Sequence, residues 1–272
     1  MSHADLVLRG AVISTLDPAC PVAEAVAVMD GTVAAVGSHL DIAPLIGPAT
    51  RVIQLDPEAL VLPGFIDAHT HYVQGPLEAA GVDLSECDTL DEIMTVLKSY
   101  PHDERVVIGG GWRSHIFPDG PRRRILDEVF GKIPVLLREI NSHSLWVNSA
   151  ALAAAGITGA TPDPDPGYSM FVRDSRGEPN GWVLEESAME IVRSAGAPFT
   201  PVEARSALLA AQSGYAGSGL TGVFDAGIFL IGEWPAWRML VDLDRRGEIG
   251  QRVVAAKVAN FGDDPVGTLR EA

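Results

Sequence analysis

Asp67, His69 and His71 occupy alternate positions in the stretch Leu60-Val61-Leu62-Pro63-Gly64-Phe65-Ile66-Asp67-Ala68-His69-Thr70-His71. In an extended strand alternate side chains share a face, so this spacing would project all three together. Two imidazoles on one face suit a divalent metal, and a neighbouring carboxylate can orient one of them through its second ring nitrogen. The plain alternative is a solvated His-x-His at a strand end, a pattern that arises by chance. The apolar lead-in and the in-phase Asp67 favour the metal.

Other residues could join such chemistry. Glu186 opens a helical pattern, where an acid either contacts a ligand or simply favours the helix dipole; Glu185 competes with it one position earlier. Trp112 follows Gly109-Gly110-Gly111 and reads as a pocket wall or a packing residue. His143 lies between a strand end and a helix start, facing substrate or capping the helix. Asp225 ends a buried strand, where a turn former or cap is the commoner role. Lys257 lies within a strand read over residues 252–258, a possible bridging lysine by position. The remaining histidines are His3, His39, His102 and His115, and none follows residue 143.

The stretch from Pro63 to His71 resembles the first-strand metal motif of the amidohydrolase superfamily. Further matches follow in order: Gly109-Gly110-Gly111-Trp112, Ile133 to Arg138, His143 to Leu152, Gly181 to Ala188 and Gly219 to Gly227. They narrow the resemblance to the amidohydrolase-3 branch, the YtcJ-like and N-substituted formamide deformylase-like proteins. Ser142 stands where the pattern around His143 usually has glycine.

The resemblance implies an α/β fold: an incomplete, metal-dependent TIM-type βα barrel, with a small N-terminal β-sandwich unit over residues 1–60. Residues 61–272 would be the first part of the barrel, with a large α/β insertion at about 72–200 after the first strand. A closed barrel takes eight strands and roughly 250 residues. The two histidines and the aspartate that complete such metal sites come from later strands, and this chain has no candidates for them. The resemblance implies one or two divalent ions of zinc type on His69, His71 and Glu186, with Asp67 orienting a ligand histidine and Trp112 and His143 contacting substrate. The activity implied is hydrolysis of C–N bonds in amide-like or cyclic amide small molecules, completed by a complementary C-terminal chain or through a homo-oligomer. The alternative is a non-catalytic half that acts as an interaction subunit or an inactive fragment.

Composition sets bounds on partners. A formal charge of −16 argues against nucleic acid and anionic membrane surfaces. Cys20 and Cys87 imply neither a disulfide framework nor a Cys-rich zinc site. The start, Met1-Ser2-His3-Ala4-Asp5, lacks the charge and apolar pattern of a signal peptide, and no run is apolar enough to span a bilayer, so the expected location is the cytoplasm.

The elements that must position these residues read as follows. Residues 5–60 give short strands, two of them joined as a hairpin through Asp30-Gly31. Thr89 caps a helix, with Glu92 three residues on. Residues 105–108 form a strand followed by a tight glycine loop, 135–137 a buried strand, 145–155 an Ala-rich helix, and 161–167 a proline-rich loop. Helices follow at 186–192, 202–215 and 237–246, and buried strands at 221–224 and 252–258.

Overall fold

The computed structural model describes residues 2–101, 105–196, 199–228 and 230–257, in two compact units, Met1–Phe65 and Ile66–Ala272. In the first, β1 (Leu6–Ser14), β2 (Val22–Met29) and β3 (Thr32–Gly37) form an antiparallel meander. The hairpin turn is Asp30-Gly31, both at positive φ (50° and 72°), as a two-residue turn of the primed type requires. α1 (His39–Ile42) is held by a capping box between Ser38 and Asp41. β4 (Arg51–Gln54) and β5 (Leu60–Val61) both pair with β1 in parallel. Ala4, Val7, Ala25, Ala27 and Ile42 make a small core. Among the described residues this unit is a single five-stranded sheet, and Val12, Val22, Val33 and Leu60 are exposed.

The second unit carries β6 (Phe65–Thr70), α2 (Gln74–Ala79), β7 (Val82–Asp83), α3 (Leu90–Ser99), β8 (Val107–Trp112), α4 (Arg123–Phe130), β9 (Val135–Glu139), β10 (Ser144–Val147) and α5 (Ser149–Ala154). After these come β11 (Met170–Arg173), β12 (Pro179–Leu184), α6 (Glu186–Gly196), α7 (Pro201–Gly217), β13 (Leu220–Asp225), α8 (Glu233–Arg245) and β14 (Arg252–Ala255). β14, β13 and β6 form a three-stranded sheet in that order, with β13 and β14 parallel. Between β6 and β13 the chain builds a separate six-stranded sheet, ordered β11-β12-β10-β9-β8-β7. That sheet is parallel across β7, β8 and β9 and antiparallel beyond.

Consecutive apolar residues in β9 reflect a strand covered on both faces. Val135 and Leu137 face a core shared with Trp112, Trp146 and the apolar sides of α3 and α4; Leu136 faces a second core with Phe171, Val183, α5 and α6. A third core joins Val223 of β13 to Leu77 of α2, Leu208 of α7 and Leu240 of α8. Ile66, Ala68, Phe224 and Val254 line an open apolar groove of about 690 Å³ along the three-stranded sheet. The architecture is α/β with mixed sheets. No sheet closes, so the described residues do not show the expected barrel. No helix among them is long and apolar enough to cross a membrane.

Several local expectations are corrected. Gly109, Gly110 and Gly111 are not a loop but the middle of β8, where a Cβ would meet the backbone of Val82, Arg138 and Ser85. Leu145 to Val147 are strand β10, and the helix starts only at its Asn148 cap. β14 ends at Ala255, so Lys257 is not mid-strand, and Val258 lies outside the described residues.

Trp112, expected against substrate, is fully buried. It packs edge-on against Phe117 and Trp146 and donates its indole N–H to Leu137 O at 2.9 Å. Such a residue is a core element, and Trp112→Ala should lower stability by about 3–5 kcal/mol. Urea unfolding measures this, and a loss under about 1 kcal/mol would return Trp112 to a pocket wall.

Candidate metal site at the end of strand β6

β6 delivers Asp67 and His69, both exposed, and His71 follows one residue after the strand ends. The His71 ring places Nδ1 2.9 Å from the carbonyl oxygen of Gly227. A carbonyl only accepts, so Nδ1 carries the proton and the lone pair of the neutral ring sits on Nε2. The His69 ring stands edge-on to it, with centroids 5.9 Å apart and planes at 84°. The Asp67 carboxylate accepts from the backbone N–H of His69 at 3.0 Å, a backbone bond where one to an imidazole was expected.

The turn after His71 is anchored on several sides. Tyr72 is buried; its hydroxyl donates to Gln251 Oε1 at 2.7 Å and accepts from Gln212 Nε2 at 2.9 Å. Gly75 N donates to the backbone carbonyl of His71 at 2.7 Å, at the start of α2. Val73 N donates to Asp225 at 3.3 Å. Burial pushes the Asp225 carboxyl upward, and the backbone N–H groups around it and the charge of His71 pull it back.

Charged pairs line the neighbouring elements. Glu78 of α2 forms an ion pair with Arg138 of β9 and accepts from Gln74 Nε2 at 2.9 Å. Glu186 and Glu190 of α6 both pair with Arg193, whose side chain is buried. Burial raises the carboxyl of Glu78 above its ordinary value against the pull of Arg138; partial desolvation raises that of Glu186 against Arg193, although the Glu186 side chain remains about half exposed, and both feel the charge of His71. Glu186 is therefore within electrostatic reach of His71, but Arg193 holds its carboxylate. His143 is exposed and pairs through Nδ1 with Glu185 Oε2 at 3.1 Å, so Glu185 belongs with His143. Lys257 pairs with Glu233 at 2.7 Å.

A divalent ion needs three or more protein donors to be held firmly. The His69–His71 pair fits the first part of that set, because the bond to Gly227 leaves Nε2 of His71 with the lone pair a metal uses. Among the described residues no group of three or more His, Cys, Asp or Glu side chains is arranged to hold a metal, so Glu186 does not complete the pair. Sequence reasoning missed Glu78, Arg193 and the bond to Gly227. It also missed Asn148, whose buried amide joins the start of β9 to the cap of α5.

The strand, the histidine pair and the strand-end aspartate agree with a match of residues 58–266 to the amidohydrolase family. This chain belongs to the amidohydrolase family. It is 37% identical over 206 residues to a putative amidohydrolase, YtcJ, of Bacillus subtilis, covering 73% of this chain and 38% of that protein. It is 32% identical over 235 residues to an N-substituted formamide deformylase of Arthrobacter pascens, covering 82% and 42%. In fold it is similar to an uncharacterized metal-dependent hydrolase of Pyrococcus horikoshii, with a TM-score of 0.67 at 20% identity over 92% of this chain and 48% of that one. This amidohydrolase-family chain thus spans about two fifths of the length of the curated relatives it matches.

The raised Glu78 carboxyl gives a pH signature. A carboxyl whose pKa is higher folded than unfolded adds stability in full below its ordinary value of 4.5, and loses it as pH climbs through the raised value. Compared with the permanently neutral Glu78→Gln, the parent should therefore lose relative stability as pH rises above the ordinary carboxyl value of 4.5. Urea unfolding of both proteins across that range reads the difference, and parallel curves would show that Arg138 outweighs burial.

Proposed function

We propose that this chain supplies the first part of a metal-dependent hydrolase that cleaves C–N bonds in small amide-like or cyclic amide substrates. Membership of the amidohydrolase family supports the hydrolase class, and a relative named as an N-substituted formamide deformylase supports the bond type. The observation that carries the reading is the His71 imidazole, fixed by Gly227 O and edge-on to His69.

His69 and His71 would hold a divalent ion of zinc type. When bound, such an ion polarises a scissile carbonyl and makes water a nucleophile near neutral pH. The chain's own residues contribute positioning. Gly227 O holds the Nδ1 proton of His71, the Gly75 N–H at the start of α2 holds its backbone carbonyl, and the carboxyls of Glu186 and Glu78 lie within electrostatic reach of His71. Further donors and the proton-transferring acid would come from later strands of a βα barrel that β6, β13 and β14 begin, carried by a complementary chain or a second copy. The open apolar groove at Ile66, Phe224 and Val254 supports a surface that further elements cover. A cytoplasmic setting belongs to this reading, supported by two free cysteines. One observation favours the competing reading, a scaffolding half without activity: the absence of a third donor among the described residues.

His69→Ala or His71→Ala should each lower bound zinc at least about tenfold, since each removes a direct ligand. Elemental analysis of the purified proteins decides, and parental metal content in both would end the assignment. Glu186→Gln separates two roles for that acid. Loss of hydrolysis in the completed enzyme with little change in melting would mark a contact with metal or substrate. Full activity with a loss of about 0.3–1 kcal/mol would mark a helix-dipole acid, the outcome its pairing with Arg193 favours.

A further inference from the structure

Asp225 sits at the end of β13, fully buried, with backbone N–H groups as its hydrogen-bond partners. One carboxylate oxygen accepts from Gly227 N at 3.0 Å, an ordinary turn-forming bond two residues on. The other accepts from Val73 N at 3.3 Å, 152 residues away in sequence, and a local turn does not need that bond. Gly227 is the residue whose carbonyl meets His71 Nδ1, and Val73 lies two residues after His71. One carboxylate therefore grips both segments whose relative placement sets the His71 ring. Gly227 lies at φ 146°, in a region open to glycine alone, so the segment that carries its carbonyl depends on a residue without a side chain.

We propose that Asp225 is a positioning residue for His71: by holding the Gly227 N–H and the Tyr72–Val73 turn in one carboxylate, it keeps the two segments in register, the ring proton on Nδ1 and Nε2 presented for ligation. The inference rests on the metal reading for what Nε2 would bind. Where the proton sits does not depend on it.

The test uses the full chain labelled with 15N, its imidazole nitrogens read by long-range proton–nitrogen correlation at a pH where the rings are neutral. In the parent, His71 should be a single Nδ1–H tautomer. Asp225→Asn keeps the shape but offers one accepting oxygen, so His71 should become a mixture of tautomers while His69 and the circular dichroism spectrum stay as in the parent. Zinc affinity, titrated against a chromogenic chelator, should fall by at least about tenfold in the variant. A purely structural Asp225 would change melting and leave tautomer and affinity alone, and that result would overturn the inference. An Nε2–H ring on His71 in the parent refutes the inference outright. Should Asp225→Asn fail to fold, Asp225→Glu, which keeps the charge and displaces the oxygens, is read in the same way: a mixture of His71 tautomers upholds the inference and the parental tautomer overturns it. A parent that binds no zinc but shows the stated tautomers would remove the metal reading and leave the positioning role standing.

Discussion

A buried carboxylate whose partners are backbone amides is the constraint on which this end of the molecule depends. Asp225 pays for its desolvation by satisfying N–H groups of two separate segments, and each would cost about 1–3 kcal/mol if left buried without a partner. It joins the end of β13 to the turn after β6, the place where the third core also closes through Tyr72, Val73 and Leu77. Interior packing is dense, so a turn pinned from the strand side by Asp225 and from the helix side by Gln212 has little freedom to move the ring it carries. The direction of His71 is thus a property of the fold and not of one flexible side chain.

The six-stranded sheet contributes differently. It brings Arg138 from β9 onto Glu78 of α2, and β12 leads directly into α6, which carries Glu186, Glu190 and Arg193. Glu78 and Arg138 are half-buried, and Arg193 is buried against the more exposed Glu186 and Glu190. Such pairs add little net stability, since desolvation offsets the attraction, but removing the acids would leave the buried Arg193 as a costly lone charge. Their effect here is to hold carboxylates in defined positions near His71.

Much of this was legible in the sequence, where local chemistry determines the outcome. Asp30-Gly31 specifies its hairpin, Thr89 with Glu92 caps its helix, and the alternation of Asp67, His69 and His71 places them at one strand end. The misreadings share a cause, which is tertiary contact. The three glycines of β8 look like a loop until the neighbouring strands press where their Cβ atoms would be. Trp112 looks like a pocket wall until two aromatic rings and a carbonyl enclose it. The carbonyl of Gly227 has no signature in sequence at all, because every residue has a carbonyl and only the fold brings this one to His71.

The surroundings of His143 show a tertiary demand overriding a local preference. Ser142 and Glu185 both lie in the left-handed region, at φ 69° and 62°, where a side chain is strained and glycine is not. The family pattern usually has glycine at the position of Ser142, which this backbone explains directly. The strained conformations persist because neighbouring bonds over-determine them: Glu185 N donates to His143 O at 3.0 Å, His143 N donates to Asn141 at 2.8 Å, and Ser144 Oγ donates to the buried Glu139 at 2.6 Å. The result is an exposed imidazole paired with a carboxylate where β10 begins and β12 ends, side by side in the sheet. Strain of this kind, with a titratable pair at its centre and a sheet to hold it, points to His143 and Glu185 as a unit, and treating either residue alone misses why both backbones are bent.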